Sequence, residues 1–300
     1  FVEQVKEDHI DLAANEDYWG EVPAIKNVRF RPITNEATRT ATMLTGDVDF
    51  TIDVSARDID RLDATEGISV IKQKGLREIY LNLDSREDSP LFPGQKNPMS
   101  DVKVRQAMYL AIDEGTIIKN IMNGCAYEMN SVVPEDYVGY TEVTREAYDP
   151  EKAKELLAEA GWDGSHELVF SVPTGNSIRE QAAVIIQQNL QEIGIKTKIE
   201  SADFATHLTK VREGNYDLGL IGSGGSPDPS ECVINFKPDH INNFSHLSDW
   251  TIYNTGAEGE HAFSFEDRKV NYDNYQELLV EQVPFCFCLL YTSDAADDLT

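Results

Sequence analysis

No stretch of the chain stays apolar for anything near the roughly 20 residues that cross a bilayer as a helix. The longest such run is VPFCFCLLY, residues 283–291. Cysteine is scarce as well: Cys125, Cys232, Cys286 and Cys288 form no C-x-x-C pair. Cys286 and Cys288 would face opposite ways from a strand, so neither a zinc site nor a disulfide framework is indicated. Basic charge is in deficit, with 26 Lys and Arg against 53 Asp and Glu and a net charge of −27. The acids are spread along the chain, a distribution that repels nucleic-acid phosphate and anionic membrane surfaces. It leaves open a solvated acidic coat, suited to a saline or extracytoplasmic medium, and an attraction for cationic ligands.

Signatures of nucleotide binding and of catalysis are missing too. No Lys-Ser or Lys-Thr follows the glycines of GSGG at 222–225, and G-x-G-x-x-G, G-x-S-x-G, H-E-x-x-H and a Ser-His-Asp arrangement are absent. Among the histidines only His240 and His246, in KPDHINNFSH, gather beside an acid. Their spacing fits neither one helix face nor a hairpin, so the histidines read as solvated loop residues. An enzyme, a resident cofactor and a metal centre are therefore not expected. The chain opens at FVEQVKEDHI without an initiator Met or a leader, so an upstream segment is expected. From Cys288 the sequence CLLYTSDAADDLT resembles a translated sequencing adapter, and residues 288–300 are expected to be non-native.

What is present is the composition of a globular protein: 300 residues, 41% hydrophobic and 9% aromatic, enough for two lobes. KNVRFRPI alternates like a half-buried strand, and Asn35 can cap the helix EATRTATMLTG, which Gly46 stops. DVDFTID and ISVIKQK follow as alternating strands around a short helix, ARDIDRLDA. Short connections make this a parallel βαβ layer by expectation. LREIYLNLDS, Leu76–Ser85, is the next strand. REDSPLFPGQKNPMS, rich in Pro, Gly, Ser and charge and without any period, is the expected lobe boundary.

Asp101 can start the helix VKVRQAMYLAID, with Val104, Ala107, Met108 and Ala111 on one face, and EGTIIKNIMNG ends at Gly124. The loop from Cys125 to Tyr148 holds Tyr127, Tyr137 and Tyr140 around Pro134, and its aromatics argue for function over disorder. Asp149-Pro150 opens a helix by cap and first-turn proline. ELVFSVP, SIREQAAVIIQQNLQEIG, IKTKIES, a helix from Phe204 to Glu213 and YDLGLIG then form a second βαβ layer with its own core. The strand YDLGLIG breaks into SGGSPDPSE. Without a phosphate-binding Lys, two readings of that turn remain: a plain glycine turn feeding a helix capped by Asp228, or the wall of a cleft where ligands reach backbone groups at strand ends.

NEDYWGEVPAIKNVRFRPI, LTGDVDF, SDVKVRQAMYLAID, AYDPEKAKELLAEAGW, QQNLQEIGIKTKIE and GNYDLGLIGSGGSPDPSE occur in that order. Through them the chain resembles the family 5 extracytoplasmic solute-binding proteins of ABC transporters, the dipeptide, oligopeptide and nickel receptor group, over about Asn15 to Pro284. The resemblance implies an α/β, bilobed, type II periplasmic-binding-protein-like fold with part of the first lobe and nearly all of the second. Residues 1–95 would be the remainder of the first lobe, with Leu76–Ser85 as one hinge strand. Residues 96–282 would be the second lobe and 283–287 the returning hinge strand.

By the same resemblance the protein is a monomeric receptor on the periplasmic or extracellular face, with an export signal or lipid anchor upstream. It would close on a small solute, a peptide before an oligosaccharide or nickel, and deliver it to the permease subunits of an importer. The same fold also serves as the sensory module of regulators. The implied ligand-binding positions are Tyr80 and Asn82 near the hinge, Tyr127 and Pro134 in the long loop, and Gly222, Ser223, Gly224, Gly225 and Ser226 as wall. Peptide receptors of the group carry a Trp after the first glycine of this turn and, shortly after, an Asp for the peptide amino group. Here Ser223 takes the Trp place, and the Asp place falls at Gly225 or Ser226, which leaves Asp228 as a substitute.

Overall fold

The computed structural model describes residues 1–291 apart from residues 53, 73–76, 130, 134, 136–138, 144–145 and 224–227, with the backbone alone for residues 223 and 287–291. One compact unit takes Phe1–Ile71. In it β1 (Glu3–Val5), β2 (His9–Ala13) and β3 (Asn27–Phe30) form an antiparallel sheet in that order. Helix α1 (Glu36–Thr45) starts where Asn35 accepts a hydrogen bond from the Thr38 backbone at 2.9 Å and stops at Gly46, whose φ of 73° suits a residue without Cβ. A short helix, α2 (Ile59–Asp63), follows.

The expected parallel βαβ layer is not what this unit builds. β3 pairs antiparallel with β2, and residues 47–52 and 68–72 join no ladder among the described residues. Phe50 and Ile71 stand 77% and 85% exposed. Alternation supplies one apolar face, but a strand exists only where a neighbour takes its backbone groups.

A second compact unit begins at Lys72, well before the boundary expected at residue 95. The Pro- and Gly-rich stretch is not a linker: Phe92 and Met99 are buried in the core. Asn97, fully buried, donates through Nδ2 to the carbonyls of Asp84 (2.7 Å) and Arg86 (2.9 Å) and accepts from the Met99 backbone at 3.0 Å. Turn-forming residues set a tight path here, and tightness is not mobility.

The elements of this unit run β4 (Arg77–Leu83), α3 (Val102–Ala111), α4 (Glu114–Ile121), β5 (Ala126–Tyr127), α5 (Pro150–Glu159), β6 (Glu167–Pro173), α6 (Ser177–Glu192) and β7 (Lys196–Ala202). There follow α7 (Phe204–Glu213), β8 (Leu218–Ser223), α8 (Ser230–Val233), α9 (Trp250–His261), α10 (Phe265–Gln282) and β9 (Phe285–Tyr291). They make a six-stranded sheet ordered β5-β9-β4-β8-β6-β7. β6 lies parallel to β7 and β8, as the second βαβ pattern predicts, and β4 runs antiparallel to β8 and β9. Ile79, Leu81 and Leu83 of β4 share one core with the apolar stripes of α3 and α6, including Val104, Met108, Ala182 and Ile186. That core contributes on the order of 2 kcal/mol per fully buried aliphatic side chain.

The expected hinge segments meet. Asn82, Leu81 and Tyr80 pair with Phe285, Cys286 and Phe287, and the register shifts between Ile79 and Tyr80 before β9 continues to Tyr291, into the segment read as non-native. Helix α9 was not predicted, because Gly256 and Gly259 weaken a helical pattern. Packing explains both. A Cβ on Gly256 would lie 2.6 Å from Val233 Cγ2, and one on Gly259 would lie 2.6 Å from Tyr272 Cε1 of α10. Gly259→Ala is therefore expected to cost about 1–3 kcal/mol by overpacking. A chemical melt of the full-length protein measures it; a gain in stability would show that α9 and α10 separate freely.

Candidate functional site

The parallel strands β6, β7 and β8 end on one side of the sheet, where open α/β folds hold their ligands. β4, running the other way, begins there. Its register places Glu78 opposite Ser223, and β9 carries the row onward, with Leu290 paired to both Glu78 and Tyr127. Tyr127, Leu290, Glu78 and Ser223 thus form one row across four strands. Tyr127 and Glu78 stand on the same face, two strands or about 10 Å apart. Of the positions implied by sequence, this row unites Tyr127, half exposed, with Ser223 at the start of the glycine turn. It adds Glu78, which sequence reasoning missed.

The other implied positions fall as follows. Tyr80 sits one pleat along from Glu78, pairs with Ile221 and rests its ring 5.2 Å from that of Phe285. Asn82 is buried but lies toward the far end of the sheet, opposite Gly219, with its Nδ2 unpartnered. Gly222 is packed rather than open: a Cβ there would come within 2.3 Å of Arg179 Nη2, so the guanidinium from the first turn of α6 covers it. Pro134, Gly224, Gly225 and Ser226 lie outside the described residues. Asp228 accepts from the Ser230 backbone at 3.0 Å and takes Arg268 Nη2 of α10 at 2.6 and 2.7 Å. Its carboxylate is already engaged.

Glu78 differs from the other acids of this end. It is 4% exposed, and its Oε1 has no hydrogen-bond partner. Burial pushes its carboxyl up to about 8. Its charge in turn raises the Tyr80 phenol and the Cys232 thiol, both lifted mainly by their own burial, the latter to about 12. Arg77 and Arg179 are buried at the same end and act on Tyr80 from the other side. The cue in the sequence was a Glu inside LREIYLNLDS; an alternating strand hides it, because alternation reads as one wet face, whereas β4 is covered on both.

The histidines depart from expectation. His207 is fully buried on α7, 2.9 Å from Ser171 Oγ of β6 through Nδ1, and burial next to Arg179 lowers it to about 4. That distance would suit a nucleophile and its base, but both side chains are sealed from solvent, so the pair fastens α7 to the sheet. His246 sits 3.6 Å from buried Asp84 and lines a cavity of about 360 Å³ with Arg86, Arg212 and His240 at the opposite end of the sheet. Arg86 there is engaged by Asp84 at 3.0 Å and the Gly214 carbonyl at 2.9 Å. In the first unit Glu3, His9 and Asp11 hold their donor atoms within 4.8 Å of one another, and Arg29 grips Asp11 through two nitrogens at 2.7 and 2.6 Å. Among the described residues no helix is long and apolar enough to cross a membrane.

Comparison with known proteins identifies the family. The family described as bacterial extracellular solute-binding proteins, family 5 Middle, matches residues 1–243. Heme-binding protein A of Haemophilus influenzae is 28% identical over 239 residues, covering 78% of this chain and 42% of that protein. The dipeptide-binding protein of Escherichia coli K12 is 28% identical over 231 residues, covering 74% of this chain and 42% of its own. Among solved structures, the ABC transporter-associated periplasmic binding protein DppA of Helicobacter pylori, in complex with peptide STSA, superposes with a TM-score of 0.77 at 26% identity, covering 96% of this chain and 56% of that one. The chain thus spans about half the length of the relatives it matches. With a matching family over most of its length and the periplasmic-binding-protein fold, this chain belongs to the bacterial extracellular solute-binding proteins of family 5.

Proposed function

We propose that the chain is part of an extracytoplasmic receptor that captures a small solute, a peptide first, and hands it to the permease of an ABC importer. In this reading Phe1–Ile71 belongs to one lobe, and the unit from Lys72, which holds both β4 and β9, belongs to the other. Support comes chiefly from one observation: β4 and β9 lie side by side and carry a row, Tyr127–Glu78–Ser223, at the carboxyl ends of the parallel strands. The dipeptide named for the Escherichia coli relative and the peptide bound by the Helicobacter pylori one favour peptide. A solute touching both lobes would favour the closed population by its differential affinity, and closure would create the surface that a permease reads. The protein acts without chemistry on its cargo, works as a monomer and, at a net charge of −27, avoids nucleic acid.

Thermal shift of the full-length protein with di- to pentapeptides, heme, oligosaccharides and Ni²⁺ tests this. A peptide at about 100 times its Kd is expected to add about 2.7 kcal/mol of stability. A shift with another solute and none with peptides would overturn the peptide assignment. An upstream helix-turn-helix in the complete gene, in place of an export signal, would overturn the transport role in favour of sensing.

A further inference from the structure

We infer that Glu3, His9 and Asp11 bind one divalent transition-metal ion, with zinc as its type, and that the ion ties the outer strand β1 to β2. The three residues lie within the first unit, and the inference does not depend on the receptor reading. Spacing along the chain hides the site, because its third donor comes from a neighbouring strand. His9 and Asp11 are two apart on β2 and so share a face, and the register sets Glu3 of β1 opposite Asp11. One imidazole nitrogen and two carboxylate oxygens lie within 4.8 Å of one another there. His9 Nε2 stands 3.6 Å from Glu3 Oε1 and 3.8 Å from Asp11 Oδ2. Those separations are too long for hydrogen bonds. They suit two ligands of a shared ion: donors about 2.1 Å from one zinc stand roughly 3.4–3.6 Å apart.

A second observation is that the imidazole is aimed. The His9 side chain is 11% exposed, and its Nε2 has no hydrogen-bond partner. Nδ1 donates to Asp8 Oδ2 at 2.8 Å, which leaves the lone pair of the neutral ring on Nε2. Arg29 steadies Asp11 in the same way, through Nε at 2.7 Å and Nη2 at 2.6 Å. A carboxylate oxygen accepts more than one partner, so Asp11 Oδ2 can take the ion and keep the guanidinium. The three carboxylates of Glu3, Asp8 and Asp11 against one guanidinium leave a charge of −2, which a divalent ion neutralises. The ion enters from solvent, since the Glu3 and Asp8 side chains are 57% and 70% exposed. A nitrogen donor with two protein carboxylates favours the zinc class over calcium or magnesium, which demand shells of oxygen. Water completes the coordination.

The test is calorimetric titration of the full-length protein, stripped with EDTA and dialysed, against zinc chloride and against magnesium chloride. One zinc per chain is expected to bind tightly, and magnesium to give no comparable site. His9→Ala should weaken zinc binding about 100-fold or more, and Asp8→Ala, which removes only the aiming carboxylate, about 10–100-fold. Zinc should slow amide hydrogen exchange in residues 3–5 by about tenfold in the parent and leave it unchanged in His9→Ala. Glu3→Gln, on the exposed outer strand, is expected to lose zinc as His9→Ala does and carries the test if His9→Ala folds poorly. Zinc binding as strong in the variants as in the parent, or matched by magnesium, would mean diffuse attraction to surface acids and overturns the site. Absence of zinc binding overturns it as well, and exchange in residues 3–5 that bound zinc leaves unchanged overturns the tie between the strands.

Discussion

Replacing Arg105 with methionine is expected to lower the stability of the full-length protein by about 3–5 kcal/mol, the largest single-residue loss available outside the apolar core. Arg105 lies on α3 and is 2% exposed. Its Nε donates to the carbonyls of Gln282 (3.0 Å) and Val283 (3.1 Å), its Nη2 to Gln282 (2.7 Å), and its Nη1 to Met99 (2.8 Å) and Ser100 (3.1 Å). The guanidinium thus caps the negative end of α10 and the turn before α3 at once. It also sits where Val283 takes a φ of 45°, a left-handed conformation that a β-branched residue adopts only under constraint. Pro284 then starts the path into β9, so the clamp fixes where that strand begins. Methionine fills the volume but leaves four carbonyls without this donor. Equilibrium urea unfolding measures the loss; a change under about 1 kcal/mol would show that water replaces the guanidinium at no cost.

The second large effect is on pH dependence. Measured without solute, stability is expected to fall by roughly 2–3 kcal/mol as pH rises from 6.5 to 8.5. Burial lifts Glu78 to about 8 and Asp217 to about 7, the latter 2% exposed and accepting from the Val169 backbone at 2.7 Å. A raised carboxyl binds its proton more tightly folded than unfolded, so the penalty is absent below the ordinary carboxylate range and complete above the folded value. Below pH 6.5 the buried histidines work in the opposite sense. His207, lowered to about 4, and His246, also lowered by burial, stay neutral in the fold while the unfolded chain takes up protons. The two pairs offset each other down to about pH 4.5. Further acidification removes the contribution of Glu200, which two lysines hold down at about 2. A broad maximum between pH 5 and 6.5 is the expected profile. Asp217→Asn should be more stable than the parent at pH 8 by about 4 kcal/mol, and that advantage should shrink steadily as pH falls and vanish only below about pH 4. An advantage independent of pH would mean that Asp217 does not titrate in this range.

Helices with caps were legible. Asn35, Asp101 and Asp149 each accept from a backbone N–H in the first turn of the helix they begin, because a capping interaction is local and needs no tertiary context. The parallel order of β6, β7 and β8 was legible for a related reason: short crossovers leave few ways to connect them. The first unit misled, since alternation in residues 47–53 and 68–74 promised strands whose partners the pattern could not name. Helix α9 stayed hidden behind glycines that make sense only against Tyr272 and Val233.

The site divides in the same way. Composition and the order of motifs were enough to settle the family and the class of fold, since each depends on residues near one another in the chain. Which acid is buried beside the glycine turn depended on register: Glu78 and Ser223 are far apart in sequence and adjacent only across the β4–β8 ladder. Asp228, by contrast, met Arg268 only when α10 folded back. The free energy of a buried charge is set by what surrounds it in space, and that is a quantity the linear order of residues does not contain.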